Sequence, residues 1–522
     1  MHAPHRIVTG LVVLGLLTSP LTLTGRAASP AVERALSQFL AAASTADAAA
    51  AAEAAVKAGA TFDDALAAVT RGRTYPAEVP RGLVRLTHRV GSVDYPYTLE
   101  VPQTYDPAKR YQVRVQLHGG VGRPEAAPRN GIGALAGAEQ IYVLPTAWSA
   151  AEWWTDGQLE NLRGILDRVK RTYNVDENRV VMSGVSDGGT GTYYFSMRDT
   201  TPFAAFLPLN GAVAVLRNQS LKRDGDLFPN NFTNKPFFIV NGGRDPLYPT
   251  SLVEPYIEQM VRGGVTVTYL PQPDAVHNTA WWPQVKDTYE RFVTAHPRAP
   301  HPDRLSWESD LTAGTGRAHW LVIDTLGPPR PEAVRLPDVN DIASAPEANF
   351  GIRADGTTVT AVSAGSNAAS FGLLPGDVIT KIGERVIPPP VDVVDLLSIN
   401  DPGSALVLTI RRDGALRELR GTYAPATAPR ITSTFTHRGP SARVDAVRTG
   451  NTVALTTRRV GRLTLLVSPD AFDLSQPITV TADGRQLFSG RVTPSVATLL
   501  KWAARDNDRT MLYAAEVPLV IE

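Results

Sequence analysis

A serine flanked by glycines stands at Gly184-Val185-Ser186-Asp187-Gly188-Gly189. The apolar run Arg179 to Met182 precedes it, and a helix-forming stretch through Tyr193 and Met197 follows. Ser186 therefore falls on a sharp strand-to-helix turn, where side chains at the flanking positions would strike neighbouring backbone. Serine attacks effectively only when a base takes its proton. Further along, Phe237-Phe238-Ile239-Val240-Asn241-Gly242-Gly243-Arg244-Asp245 is a strand running into a glycine turn that ends in an acid. Asp274-Ala275-Val276-His277-Asn278 then places a histidine after a strand that ends near Leu270. Ser186, Asp245 and His277 supply a nucleophile, an orienting acid and a base. Asp274 is a rival for the acid, but it lies close to His277 in sequence and not at a strand end.

Acyl transfer through a serine also needs N–H donors aimed at the developing oxyanion. The backbone of Asp187 supplies one. The second is expected from Leu117-His118-Gly119-Gly120-Val121, at Gly120 or Val121, with His118 as a structural residue of that turn. Five of the eight tryptophans, at 148, 153, 154, 281 and 282, lie in these loops. Trp153, Trp154, Trp281 and Trp282 are candidate substrate-binding residues, since aromatic faces suit sugar rings, aromatic acids or apolar acyl groups. The nine histidines are scattered without metal-ligand spacing, so no metal or other cofactor is expected.

These residues need a scaffold, and the pattern from about residue 83 provides one. Leu83 to Val90 and Tyr95 to Val101 read as a strand pair. Short apolar runs follow at Tyr111–Leu117, Ile141–Leu144, Arg179–Met182, Ala204–Leu207, Phe237–Val240 and Val265–Leu270. Amphipathic stretches such as Leu159–Tyr173 and Leu252–Arg262 separate them. This alternation predicts a mostly parallel sheet covered by helices on both faces, closed by a helix over Pro283–Ala295. Before it, alanine-rich residues 30–72 favour short helices, with a capped start at Thr61-Phe62-Asp63-Asp64. After Pro297 the helical alternation stops. Leu305–Trp307 and Ala318–Ile323 read as strands, a proline-rich linker runs from Pro328 to Pro337, and strands resume from Ile431. A hairpin turn is expected at Ala482-Asp483-Gly484-Arg485. Two strands are too few to fold alone, so the β-rich region is expected to be split around the module between its pieces.

The chain has 522 residues, enough for several domains, and its net charge of +1 argues against a nucleic-acid partner. His5 and Arg6 precede the apolar run Ile7–Leu17, and small residues follow at Gly25 and Ala27. This order reads as an export leader over residues 1–27 rather than a transmembrane anchor, and implies a secreted or periplasmic protein. With no cysteine, disulfides, thiolate metal sites and a cysteine nucleophile are excluded.

The catalytic motifs resemble those of the α/β-hydrolase superfamily, in particular its exported esterase branch with feruloyl esterases and polyhydroxybutyrate depolymerases. The resemblance spans about residues 83–297. Many members of that branch carry disulfides and a cysteine after the oxyanion glycine, where this chain has Gly119-Gly120 and none. The prolyl oligopeptidase family has a similar core but usually an N-terminal propeller, for which residues 30–82 are too few. Phe371-Gly372-Leu373-Leu374-Pro375-Gly376-Asp377-Val378-Ile379, followed by Ile382-Gly383, resembles a PDZ domain. That resemblance implies a carboxylate-binding loop at Phe350-Gly351-Ile352, a groove helix over Val391–Ser398, and a peptide C-terminus as partner.

The fold class expected is thus α/β: an α/β-hydrolase doubly wound sheet with a helical N-terminal segment, a β-rich C-terminal domain and an inserted PDZ-like domain. The expected bounds are 28–73 for the helices, 74–298 for the catalytic domain, 299–337 and 428–522 for the split β-domain, and 340–426 for the insertion. The function implied is cleavage of carboxylic esters through an acyl-enzyme. A peptidase using the PDZ groove to present peptides, and a non-catalytic PDZ scaffold, are the alternatives.

Overall fold

In a computed structural model, the structure describes residues 28–521, apart from 219–220, 222, 224–225, 330–338, 340, 345–349, 388–392, 399–402, 424–429, 434 and 436–438. The expected leader and most of the proline-rich linker lie outside the described residues.

The alanine-rich start forms three helices: α1 (Pro30–Ala41), α2 (Thr45–Lys57) and α3 (Phe62–Arg71). Each has a hydroxyl cap, from Ser29, Ser44 and Thr61, and Thr61 with Asp64 forms a reciprocal capping box. Alanine cannot bury much area alone, so these helices need a partner surface. They find it at the far end of the chain, where Leu499, Leu500, Ala503 and Ala504 join Leu36, Phe39, Ala55 and Ala65 in one apolar cluster.

The central sheet contains β1 (Gly82–Val90), β2 (Val93–Val101), β3 (Tyr111–Leu117), β4 (Ile141–Pro145), β5 (Val175–Val185), β6 (Ala205–Leu209), β7 (Phe237–Gly242) and β8 (Val267–Gln272). Their order is β1-β2-β4-β3-β5-β6-β7-β8, antiparallel at the β1–β2 and β2–β4 pairs and parallel from β4 to β8. Strand residues alternate between two cores, as a period of two requires. Val113, Val115, Val180, Met182 and Ile239 meet α4 (Asp156–Thr172), α5 (Asp187–Arg198) and α6 (Thr250–Arg262). Tyr142, Leu144, Val181, Leu207, Phe238 and Val240 meet α7 (Trp282–Ala295) on the other face. Burial on both faces is why these strands read as continuous apolar runs.

Beyond α7 come β9 (Arg304–Ser309), β10 (Arg317–Ala318) and β11 (Leu321–Leu326). The strand β12 (Asp341–Ser344) opens the next segment. There β13 (Ile352–Asp355), β14 (Thr358–Val362), β15 (Val378–Ile382), β16 (Arg385–Val386), β17 (Ala405–Arg412) and β18 (Ala415–Thr422) surround the helices α8 (Asn367–Phe371) and α9 (Val393–Ser398). β19 (Arg430–Ser433) pairs antiparallel with β12, which brings the two ends of the segment together.

The chain then runs through β20 (Ala442–Thr449), β21 (Thr452–Arg458), β22 (Val460–Val467), β23 (Ile478–Ala482), β24 (Arg485–Gly490), α10 (Val496–Asp506) and β25 (Ala515–Val520). β9 pairs with β20 and β11 with β22, across the intervening segment. The sheets β10-β11-β22-β25 and β24-β23-β21-β20-β9 share one core that includes Trp307, Trp320 and Trp502. Asp483 and Gly484, both with positive φ (51° and 79°), form the two-residue turn of the β23–β24 hairpin. Among the described residues, no helix is long and apolar enough to cross a membrane.

Candidate active site

Ser186 stands between β5 and α5 in a conformation few residues adopt, φ 58° and ψ −122°. Such geometry costs on the order of 1–3 kcal/mol and persists only where the surroundings enforce it. Here they do: the Ser186 N–H donates to the Leu209 carbonyl at 3.0 Å, and the Ser186 carbonyl accepts from Thr190 N–H at 3.0 Å. A Cβ on Gly184 would collide with the Gly188 carbonyl, and one on Gly188 with the Leu117 carbonyl. Glycine is required at both positions by close backbone approach.

The turn presents Ser186 Oγ to His277 Nε2 at 2.8 Å, and His277 Nδ1 lies 2.6 Å from Asp245 Oδ2. Asp245 is fully buried, and its Oδ1 accepts from the N–H groups of Leu247 (2.8 Å) and Tyr248 (3.0 Å). These donors satisfy the second carboxylate oxygen and fix the carboxylate's orientation. Asp274 lies apart, paired with Arg244 at 3.0 Å on the exposed surface. The three residues predicted from chain order thus meet in one place.

On the oxyanion side, Gly119 abuts the nucleophile: a Cβ there would stand 2.8 Å from Ser186 Cβ. His118 is fixed as a neutral ring, its Nδ1–H donating to the Gly119 carbonyl (2.8 Å) and its Nε2 accepting from Ala147 N–H (3.0 Å). Burial lowers its pKa, and both ring nitrogens are engaged in holding this loop. Val121 requires a correction. Its N–H donates to Asp187 Oδ2 at 2.9 Å, so this donor is spent on holding the loop to α5. Of the three N–H groups expected to face an oxyanion, those of Gly120 and Asp187 remain as candidates.

The tryptophans also depart from expectation. Trp153 is fully buried, and its indole N–H donates to the His118 carbonyl at 2.9 Å. Trp154 is buried and bonds Glu152 at 2.8 Å. Trp282 packs against Tyr289 and beneath the Arg114 guanidinium, with its N–H on the Ala136 carbonyl. Trp281 is buried beside it. The substrate-binding assignment of these four fails because their area is spent on the core; Trp153 supports the oxyanion loop from behind. Sequence reasoning missed Tyr248, whose ring meets His277 edge-on at 5.6 Å, and Asn210, whose amide donates to the Asn278 carbonyl at 2.8 Å. An Asn-Gly pair at a strand end was the available signal for Asn210, which has φ 46°.

The strand order, the strained elbow and the order serine, acid, histidine are those of the α/β-hydrolase fold. Downstream, residues 358–412 match the family model of the PDZ domain. That segment is a PDZ domain. Its Pro375-Gly376-Asp377 loop is held by Asp377, buried, which accepts from Leu374 N–H (2.8 Å) and pairs with Arg412 through both oxygens. Its β13 lies at the edge of the sheet, with α9 packed nearby. Ile352 begins that strand, and the Gly351 carbonyl accepts from Ser363 N–H at 2.7 Å. The Phe350 ring is buried against Phe371 and Tyr423.

Among solved structures, the chain is similar to a thermostable esterase (20% identity, TM-score 0.33, 41% of this chain and 63% of that one). It is also similar to esterase 2 of Thermogutta terrifontis (17% identity, TM-score 0.34, 42% of this chain and 97% of that one). Acylaminoacyl peptidase of Pyrococcus horikoshii gives 12% identity and a TM-score of 0.34, over 41% of each chain. The first and third matches cover less than two thirds of those proteins' own length. A comparison with curated protein sequences finds no match.

Proposed function

We propose that the protein is an exported serine hydrolase that cleaves carboxylic esters through an acyl-enzyme on Ser186. The observation that carries this reading is His277 bridging Ser186 Oγ and the buried Asp245 at 2.8 and 2.6 Å. His277 Nε2 takes the Ser186 proton as Oγ attacks the ester carbonyl. Asp245, held in place by two backbone N–H groups, fixes the tautomer and stabilises the imidazolium. Gly120 and Asp187 N–H groups receive the oxyanion. The imidazolium then protonates the departing alcohol, and a water activated by the same nitrogen releases the acid. The leader-like residues 1–27 support export, and the domain bounds given above remain the proposed division of the chain.

The PDZ domain is proposed to bind a peptide C-terminus by strand addition along β13. Its contact with the hydrolase region gives the peptidase reading its support. Arg385 of β16 pairs with Glu258 at 2.7 Å and approaches Glu254 at 3.7 Å, both on α6, the helix that follows the Asp245 turn. Esters and amides use the same triad, so substrate tests must separate them.

Fluorophosphonate labelling followed by nitrophenyl ester turnover tests the main reading. Labelling at Ser186, with both signals lost in Ser186→Ala, is expected. An unlabelled, folded protein would overturn it and leave the PDZ groove as the working site. Deleting residues 340–426 tests presentation: peptide turnover is expected to fall if it operates, whereas unchanged activity on every substrate removes that role.

A further inference from the structure

The loop after β3 carries two arginines that the triad does not use. The Arg123 guanidinium lies over Gly120, its Nη2 3.4 Å from where a Cβ on that glycine would stand. Gly119, one residue earlier, would place a Cβ 3.3 Å from Ser186 Oγ. Arg123 therefore reaches within on the order of 10 Å of the nucleophile, given consecutive Cα spacing. Arg129 is half-buried on the same loop, its carbonyl pinned by the Thr98 hydroxyl at 2.8 Å. Loss of hydration and the like charge of Arg123 both lower its pKa. The charges of both arginines reach His118.

Among the described residues, no carboxylate pairs with either guanidinium. Several other arginines of this chain pair with carboxylates, Arg298 with Asp508 (2.7 Å), Arg509 with Glu177 (2.6 Å) and Arg163 with Asp199 (2.6 Å), and the fully buried Arg114 is held by Gln116 and the Leu135 carbonyl. Two acids stand near the loop: Glu125, exposed on the loop itself, and Asp187, whose Oδ2 is engaged by Val121 N–H. Neither carboxylate pairs with a guanidinium, so both forks are left open to a ligand anion. Gathering like charges, one of them desolvated, opposes folding unless an anion arrives to repay it. Leu247 and Val276, both exposed, adjoin the acid and the base in the chain.

We propose that Arg123 and Arg129 form an anion subsite beside the nucleophile, and that the substrate is an ester bearing an ionised carboxylate remote from its scissile bond. The inference rests on the esterase reading above and names its substrate class. Guanidinium forks bind carboxylate bidentately, which sets orientation as well as attraction.

Two matched ester pairs test this on the full chain. 4-Acetoxybenzoate against its methyl ester places the anion on the leaving group; monomethyl against dimethyl terephthalate places it on the acyl group. The expected result is a kcat/KM preference of tenfold or more for the anionic member of at least one pair. That preference should fall to near unity in Arg123→Ala and in Arg129→Gln, and return in part in Arg123→Lys. It should also shrink with rising salt. Turnover of the neutral esters with no preference for either anionic partner would overturn the subsite while leaving the esterase reading intact. A preference that survives both substitutions would do the same. Absence of turnover on all four, with Ser186 unlabelled, would overturn the esterase reading and the subsite with it.

Discussion

At the scale of single residues, the site depends on groups that hold the triad as much as on the triad itself. Asp245 receives two backbone N–H groups on one oxygen and the imidazole on the other. Replacing it by asparagine keeps the shape but lets the amide donate towards Nδ1, which favours the wrong tautomer. Asp245→Asn is therefore expected to lower kcat by about 10³- to 10⁴-fold, with Tm changed far less, as measured by steady-state kinetics and calorimetry. Asn210 acts one step further out. Its amide holds the carbonyl of Asn278, the residue after His277, from the end of β6. Asn210→Ala frees that loop, and misplacing the base by a fraction of an ångström costs rate rather than binding. A fall of about tenfold in kcat with little change in KM is expected, matched by slower fluorophosphonate labelling. Equal losses in KM and kcat would mean the pocket, rather than the base, had moved.

At the scale of elements, legibility followed burial. The strands leading to Ser186 and Asp245 are covered on both faces, so their apolar runs mark their C-terminal ends; β8, before His277, is a half-buried edge strand and is legible from its alternation instead. The PDZ motif was readable for a related reason: Asp377 has a local task, capping its own loop, that fixes its spacing. The tryptophans misled because composition reveals aromatic area but not which side of a loop it faces. Trp153 and Trp282 point inward to bond carbonyls of neighbouring loops. The helix α10 went unread although Val496, Leu499, Leu500, Ala503 and Ala504 follow helical spacing. Its partner surface, α1 to α3, lies more than four hundred residues away in sequence, and a single-chain pattern cannot announce such a pairing. That pairing makes a prediction. Leu500 is fully buried among α1–α3, so Leu500→Ala should cost about 2–5 kcal/mol in this region. Limited proteolysis should release the N-terminal helices earlier from this variant, while Ser186 labelling persists.

At the scale of the whole molecule, the end of α10 and the segment after it bind three regions together. Asp508 pairs with Arg298 (2.7 Å) and approaches Lys170 of α4 (3.8 Å), while Arg509 pairs with Glu177 of β5. Asp506 takes Arg317 of β10 at 2.5 Å. Neutral histidines are packed into the same seam. His319 accepts from Lys235 at 2.9 Å, and burial with neighbouring cations drives both pKa values well down. His301 bonds the Ser468 hydroxyl at 3.1 Å and meets Tyr513 edge-on, and burial lowers its pKa to about 4. Unfolding returns His301 to an ordinary value near 6.5, so the unfolded chain binds a proton that the native chain refuses. Its contribution is complete above pH 6.5 and is lost progressively as pH falls towards 4, by about 3 kcal/mol in all. Calorimetry across this range should therefore find Tm falling before the carboxylates titrate. His301→Asn should flatten that part of the decline while lowering stability at neutral pH, because the Ser468 contact and ring packing are weakened. A decline of unchanged steepness in the variant would assign the acid sensitivity to the remaining buried histidines.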